Sequence, residues 1–382
     1  MLYYLHILHD YGIGLDSEFL KAFNVFQYIT FRAVAAGVTA FLLSLFFGNW
    51  VIRHLVSLKL GQPIRSQDEV HRLHELHGAK AGTPTMGGVL LLGAILISTL
   101  LWARPTNTLV WLALFSVIYL GTVGFIDDYL KVTKKSSDGI SSRLKFALQC
   151  VLAVFITGYF LFALWLNDMP WDLYVPFSKE PVVHLRVAFP FIFTFIVALV
   201  FYLLVIVGSS NAVNLTDGLD GLAAGCTATV AFGFAVLTYA AGHHKIAQYL
   251  QIPYVPFSGE LAVVCLALVG AALGFLWWNC HPARVFMGDT GSLAIGGLLG
   301  VVAIAAKQEL LLALIGGVFV LEAGSVILQV ASFKLTGKRI FKMSPLHHHF
   351  ELSGWKESTV IVRFWILSVI FALLGLATLK LR

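Results

Sequence analysis

Apolar runs about twenty residues long, parted by short polar segments, repeat from one end of this chain to the other. They fall near residues 27–47, 84–103, 107–126, 146–166, 187–208, 219–241, 261–278, 291–306, 310–333 and 359–379. A helix rises about 1.5 Å per residue, so a run of this length matches the roughly 30 Å hydrocarbon layer of a bilayer. The runs are continuous rather than alternating, which speaks against a membrane β-barrel. The pattern predicts an all-α integral membrane protein of about ten transmembrane helices, folded as a single polytopic domain over residues 1–382. The least distinct boundary lies between the eighth and ninth runs, where only Lys307, Gln308 and Glu309 interrupt the apolar sequence.

Composition sharpens this. Of 382 residues 58% are hydrophobic and only 12% charged, with a mean hydropathy of +0.84. A soluble domain carries roughly 25% charged residues, so a soluble enzyme, a disordered chain and a coiled coil are excluded. The four cysteines form no CxxC pair, and neither a disulfide framework nor a zinc site is expected. The N-terminus lacks the basic start of a cleavable signal peptide, and Asp10, Asp16 and Glu18 interrupt its apolar residues.

The net charge of +6 reads as loops facing anionic lipid rather than as a nucleic-acid site. Sixteen Lys and Arg fall in the loops on one side of the expected membrane, against eight on the other. The basic side is expected to be cytoplasmic, which leaves both termini extracytoplasmic. The loop 167–186 reads as an interfacial turn or hairpin on the opposite face.

The polar residues that could carry chemistry gather on that basic side, which predicts one active site on the cytoplasmic face. Asp127 and Asp128 end the third run. Adjacent carboxylates repel unless a cation compensates them, so they read either as a solvated helix end or as a site for a divalent cation or a base. Asn211, Asn214, Asp217 and Asp220 repeat every three residues, which stacks side chains on one helix face, although Gly218 and Gly221 argue for a broken segment. Asp289 precedes an apolar helix amid small residues. Thr290 or Ser292 could cap that helix, and Asp289 is the best candidate ligand for Mg²⁺, which takes one or two carboxylates plus substrate phosphates.

His347, His348 and His349 are consecutive, so they cannot all face one zinc ion; they can contact a phosphate or a sugar, or line a polar loop. Lys80, Thr83 and Thr85 sit among glycines where a phosphate could bind, without the spacing of a Walker A loop; a boundary lysine is otherwise a snorkelling anchor. Taken together, these groups suit a diphosphate substrate, Mg²⁺ and a lipid acceptor.

Five blocks carry a resemblance: Gly82-Thr-Pro-Thr-Met-Gly-Gly, Gly124-Phe-Ile-Asp-Asp-Tyr, Asn214-Leu-Thr-Asp-Gly-Leu-Asp-Gly-Leu, Pro282-Ala-Arg-Val-Phe-Met-Gly-Asp-Thr-Gly-Ser and Pro345-Leu-His-His-His-Phe-Glu. In order, and over nearly the whole chain, they resemble the phospho-N-acetylmuramoyl-pentapeptide-transferases of the polyprenyl-phosphate N-acetylhexosamine-1-phosphate transferase superfamily. The resemblance implies a ten-span, multi-pass plasma-membrane enzyme, that membrane being the inner one if the host is Gram-negative. It implies transfer of phospho-MurNAc-pentapeptide from UDP-MurNAc-pentapeptide to undecaprenyl phosphate, giving lipid I and UMP, with Mg²⁺ as cofactor and a homodimer as assembly.

Carried over, Asp289 is the Mg²⁺ ligand, and Asp127 and Asp128 lie beside the lipid phosphate with Asp127 as base. His348, flanked by His347 and His349, meets the substrate's phosphate or sugar. Asn214, Asp217, Asp220, Phe286 and Gln329 resemble the nucleoside and substrate pocket, joined by Lys80, Thr85, Lys131 and Asn279. Cys280 has no implied role, and Arg143, standing where related sequences often have lysine, is left out. A sister HexNAc-1-phosphate transferase would share the aspartates but match the His347–His349 block less well. An ion-coupled transporter would need inverted repeats and mid-membrane carboxylates, which the sequence does not show.

Overall fold

The computed structural model describes residues 1–9, 18–58, 82–134, 139–166, 172–178, 180–184 and 191–379. Its main helices are α1 (Ile29–Ser57), α2 (Gly88–Trp102), α3 (Thr108–Thr133), α4 (Ser142–Leu166), α5 (Phe191–Thr216), α6 (Leu222–Gly242), α7 (His244–Leu250), α8 (Leu261–Asn279), α9 (Gly288–Ala305), α10 (Glu309–Ile315), α11 (Gly317–Thr336), α12 (Leu346–Glu351) and α13 (Glu357–Ala377). A short antiparallel pair of two-residue strands, β1 (Asp172–Leu173) against β2 (Val183–His184), lies in the expected interfacial loop.

Nine of the described helices are long and apolar enough to cross a bilayer, against the ten expected. The difference is α2, which has 15 residues and reaches only about 22 Å. Its run was expected to begin at residue 84. Instead Pro84–Gly87 lies outside the helix, with Met86 at a φ of +71°, and the Pro84 carbonyl accepts the Phe286 N–H at 2.9 Å while Gly87 N–H donates to the Phe286 carbonyl at 2.8 Å. The apolar residues before α2 are thus used to pair with another loop. The ninth run is also divided, into α10 and α11, with Gly316 between them. The break at Lys307–Glu309 stands where the polar residues put it, after the end of α9.

Helix α9 is the axis of the bundle. From Thr290 to Ala305 every residue is buried, and it packs on α3 and α5. Helix α8 packs on α1 and α6, and α13 closes the bundle against α6. With α3 in contact with both α8 and α9, the ends of α3 and α8 and the start of α9 share one face of the bundle.

The opposite face is tied by a buried ion pair. Arg32, only 1% exposed, donates to Glu260 through Nη1 at 2.7 Å and Nη2 at 2.5 Å. The same carboxylate accepts the Arg104 N–H at 2.9 Å, so it joins the starts of α1 and α8 to the loop before α3. Removing one partner strands a buried charge, whereas removing both does not. Arg32→Leu is expected to destabilise the fold by about 3–5 kcal/mol, and Arg32→Leu with Glu260→Leu to recover most of that loss. Thermal unfolding in detergent checks this; equal melting of parent and single variant would show that the pair contributes nothing.

Candidate active site

Asp289 lies in the first turn of α9, and four polar side chains from three other helices converge on its neighbourhood. Its Oδ2 receives Lys131 Nζ at 2.9 Å from α3 and Lys145 Nζ at 2.6 Å from α4. Its Oδ1 accepts from Asn214 Nδ2 at 2.6 Å, near the end of α5, and Asn214 also reaches Ser292 Oγ at 2.9 Å. Asp127 is bound by the same two ammoniums, Lys131 at 2.7 Å and Lys145 at 3.6 Å. Its Oδ1 accepts the Ile140 N–H at 2.7 Å.

The aspartate pair divides its work. Asp128, 4% exposed, accepts the Asp289 N–H at 3.2 Å, the Thr290 N–H at 2.9 Å and the Thr290 hydroxyl at 2.8 Å. The first backbone N–H groups of a helix lack partners within it, and the N-terminus carries partial positive charge. Asp128 therefore caps α9 from another helix, the task the sequence suggested for Thr290 or Ser292. Gly288 makes this approach possible: its φ is +74°, and a Cβ there would come within 2.5 Å of the Asp128 carboxylate and 3.0 Å of Thr85 Oγ1.

Asp127, Asp128 and Asp289 bring one oxygen each within 4.8 Å of one another. Among the described residues three carboxylates face two ammoniums, an excess of negative charge built from hard oxygen donors. That set suits Mg²⁺. Asp217, half-buried in the turn after α5, faces the Gly288 amide; burial pushes its carboxyl up to about 8, and the Asp289 and Asp128 charges add to the shift.

The structure thus brings Thr85, Asp127, Asp128, Lys131, Asn214, Asp217 and Asp289 to one place. Other expected site residues are engaged with partners of their own. Asp220 is buried and accepts the Ala283 N–H at 3.0 Å; His281 Nδ1 lies 3.1 Å from the same oxygen and 3.5 Å from Glu357. Asn279, 2% exposed, donates to the Val285 carbonyl at 2.8 Å, and half-buried Phe286 follows in the same loop. Asp220 and Asn279 thereby hold the 280–287 segment that delivers Asp289. Gln329 uses both ends of its amide on the backbone of Ile340 and Phe341.

The three histidines point to three different partners. His347 is fully buried, with Nδ1 3.1 Å from Glu322 Oε2. His348 Nδ1 lies 2.9 Å from Glu351, and His349 Nδ1 accepts the Lys342 N–H at 3.1 Å. A Cβ on Gly218 would overlap Nε2 of His347, so α12 rests against the turn that holds Asp217 and Asp220. Gly218→Ala is expected to cost about 1–3 kcal/mol through this overlap. An unchanged melting temperature would mean that His347 yields freely. Lys80 lies outside the described residues.

Sequence reasoning passed over Lys145, Glu322, His281 and Glu357. Lys145 carried one signal: an ammonium in the first turn of an apolar helix opposes the helix dipole and needs a reason to be there. Arg143, two residues earlier, is exposed.

A bundle of membrane-length helices with a carboxylate–lysine cluster at one end defines a membrane-embedded phosphate-handling protein. In agreement, residues 110–307 match the glycosyl transferase family 4 model, and residues 80–92 match phospho-N-acetylmuramoyl-pentapeptide-transferase signature 1. The chain is 53% identical over 382 residues, 100% of both chains, to the phospho-N-acetylmuramoyl-pentapeptide-transferase of Methylacidiphilum infernorum (isolate V4). The chain belongs to the phospho-N-acetylmuramoyl-pentapeptide-transferase family.

Proposed function

We propose that this protein moves phospho-MurNAc-pentapeptide from UDP-MurNAc-pentapeptide onto undecaprenyl phosphate, giving lipid I and UMP, the first membrane step of peptidoglycan synthesis. The observation that carries this reading is the pair of ammoniums, Lys131 and Lys145, bridging Asp127 and Asp289. Phosphoryl transfer is mostly positioning and stabilisation of charge on oxygen, which such an array provides.

In this reading an oxygen of the lipid phosphate attacks the sugar-linked phosphorus in line. The bond from that phosphorus to the bridging oxygen breaks, and UMP leaves with the electron pair. Lys131 and Lys145 balance the charge that collects on the transferring group. Asp127 takes the remaining proton of the lipid phosphate when that group arrives as a monoanion. Its carboxylate is held by two lysines and the Ile140 N–H, and direct attack by the ionised lipid phosphate needs no covalent enzyme intermediate.

Asp289 would hold Mg²⁺, with Asp127 and Asp128 close by, and the bound ion would supply further neutralisation of the diphosphate. Asn214, Asp217, Phe286 and His348 contact the nucleotide substrate, Lys80 and Thr85 complete its phosphate side, and Asp220, Asn279, Gln329, His347 and His349 shape the walls. We place this site on the cytoplasmic face, where the UDP-linked substrate is soluble and the basic loops attract it. We place the protein as a homodimer, on the family resemblance.

The test is UMP release by detergent-purified protein with undecaprenyl phosphate and Mg²⁺. One tube receives UDP-MurNAc-pentapeptide and another UDP-GlcNAc, each with an EDTA control. Product from the muramoyl substrate alone, and none in EDTA, is the expected result. Product from UDP-GlcNAc alone would move the protein to the sister transferases.

A further inference from the structure

Two arginines lie within the apolar runs expected to span the membrane, Arg32 and Arg363. Arg32 has its partner in Glu260. Arg363 is exposed on α13 and, among the described residues, has no ion pair. Its guanidinium instead lies over the Trp355 ring, 4.0 Å from the centroid. A cation without an ion pair on a lipid-facing helix is costly unless it meets an anion at the membrane surface.

The depth is right for that. The N-terminal end of α13 shares a face with the carboxylate cluster, because Glu357 accepts the Asp220 N–H at 3.2 Å. Arg363 is six residues further on, about 9 Å along the helix axis, near the interfacial layer. Below it opens an apolar cleft of about 290 Å³, lined by Phe350, Trp355, Arg363, Phe364, Ile366 and Leu367. Ile366 and Leu367 are 56% and 41% exposed, so the cleft opens sideways towards lipid rather than into the bundle. Trp355 stacks on Phe350 with ring centroids 4.5 Å apart. An indole and an arginine above an apolar slot match the two halves of a lipid, headgroup and chain.

We propose that this cleft binds one glycerophospholipid with an anionic headgroup. The phosphate is held by the forked guanidinium of Arg363 and one acyl chain lies along Phe364, Ile366 and Leu367. Phe350 belongs to α12, the helix that also carries His347–His349, so the bound lipid braces that helix from outside the active site.

Native mass spectrometry of the full-length protein in detergent tests this, with phosphatidylglycerol and phosphatidylcholine as probes. The parent is expected to retain one phosphatidylglycerol at least tenfold more tightly than phosphatidylcholine. Arg363→Gln should lose that preference, Arg363→Lys should keep part of it, and Leu367→Trp, which fills the cleft, should weaken both lipids. Glycerol 3-phosphate, a headgroup without chains, should not compete. UMP release and melting of Arg363→Gln in detergent without added glycerophospholipid should match the parent, which separates lost lipid from lost fold. Equal phosphatidylglycerol retention by parent and Arg363→Gln would overturn the proposal. So would displacement of that lipid from the parent, but not from Arg363→Gln, by undecaprenyl phosphate, since the cleft would then belong to the acceptor substrate.

Discussion

Asp289→Asn is expected to lower kcat by about a thousandfold or more while leaving the protein folded. Asparagine keeps the shape of the side chain and can still meet Asn214, so the packing at the start of α9 is undisturbed. What disappears is the charge that pairs with Lys131 and Lys145 and would hold Mg²⁺. Removing one preorganised electrostatic group from an active site typically costs about 10²–10³ in rate, and here the change also weakens the metal. The measurement is UMP release at saturating substrates across a series of Mg²⁺ concentrations, alongside the melting temperature. Activity within tenfold of the parent, in a folded variant, would remove Asp289 from the chemistry.

Lys145→Met is expected to reduce kcat by about a hundredfold, and Arg143→Met to change it by less than about twofold. Both are basic residues in the first turn of α4, two positions apart, and sequence alone cannot rank them. Two positions on a helix are about 200° of rotation, which sends the side chains to opposite sides. Lys145 lands 2.6 Å from Asp289, while Arg143 faces out. Lys131 remains in the Lys145→Met variant, which is why the expected loss is smaller than for Asp289→Asn. Steady-state kinetics on both variants decide it. Equal losses would mean that the charge of the segment matters rather than the contact, and a rise in KM alone would make Lys145 a binding group.

The carboxylates were legible because their chemistry is expensive. Asp127, Asp128, Asp217 and Asp289 interrupt apolar sequence, and a buried charge without a partner is not tolerated there, so each announces a site. The histidines were less legible. Successive residues on a helix point about 100° apart, so three consecutive histidines cannot face one ion, but the run itself does not say which partner each one takes. In the fold His347 is buried on Glu322, His348 meets Glu351 and His349 meets the Lys342 backbone. Gln329, expected in the pocket by resemblance, engages the backbone at Ile340 and Phe341 through its amide. Partners such as Glu322, His281 and Glu357 carry no local signal, because their significance lies in contacts with distant parts of the chain.

The sequence by itself determined the membrane setting, the helical class, nearly every span and the motifs of the site. These depend on hydrophobicity, on chain-local periodicity and on residue chemistry, all of which are written along the chain. Tertiary structure alone decided that α2 starts late, because its leading residues pair with Phe286. It alone decided that Asp128 caps α9 while Asp127 shares two lysines with Asp289. It also chose Lys145 over Arg143 and set Arg363 over the Trp355 ring beside an apolar cleft, without an ion pair among the described residues. Each of these is set by which helices touch and how each is rotated about its axis, and no local stretch of sequence specifies either.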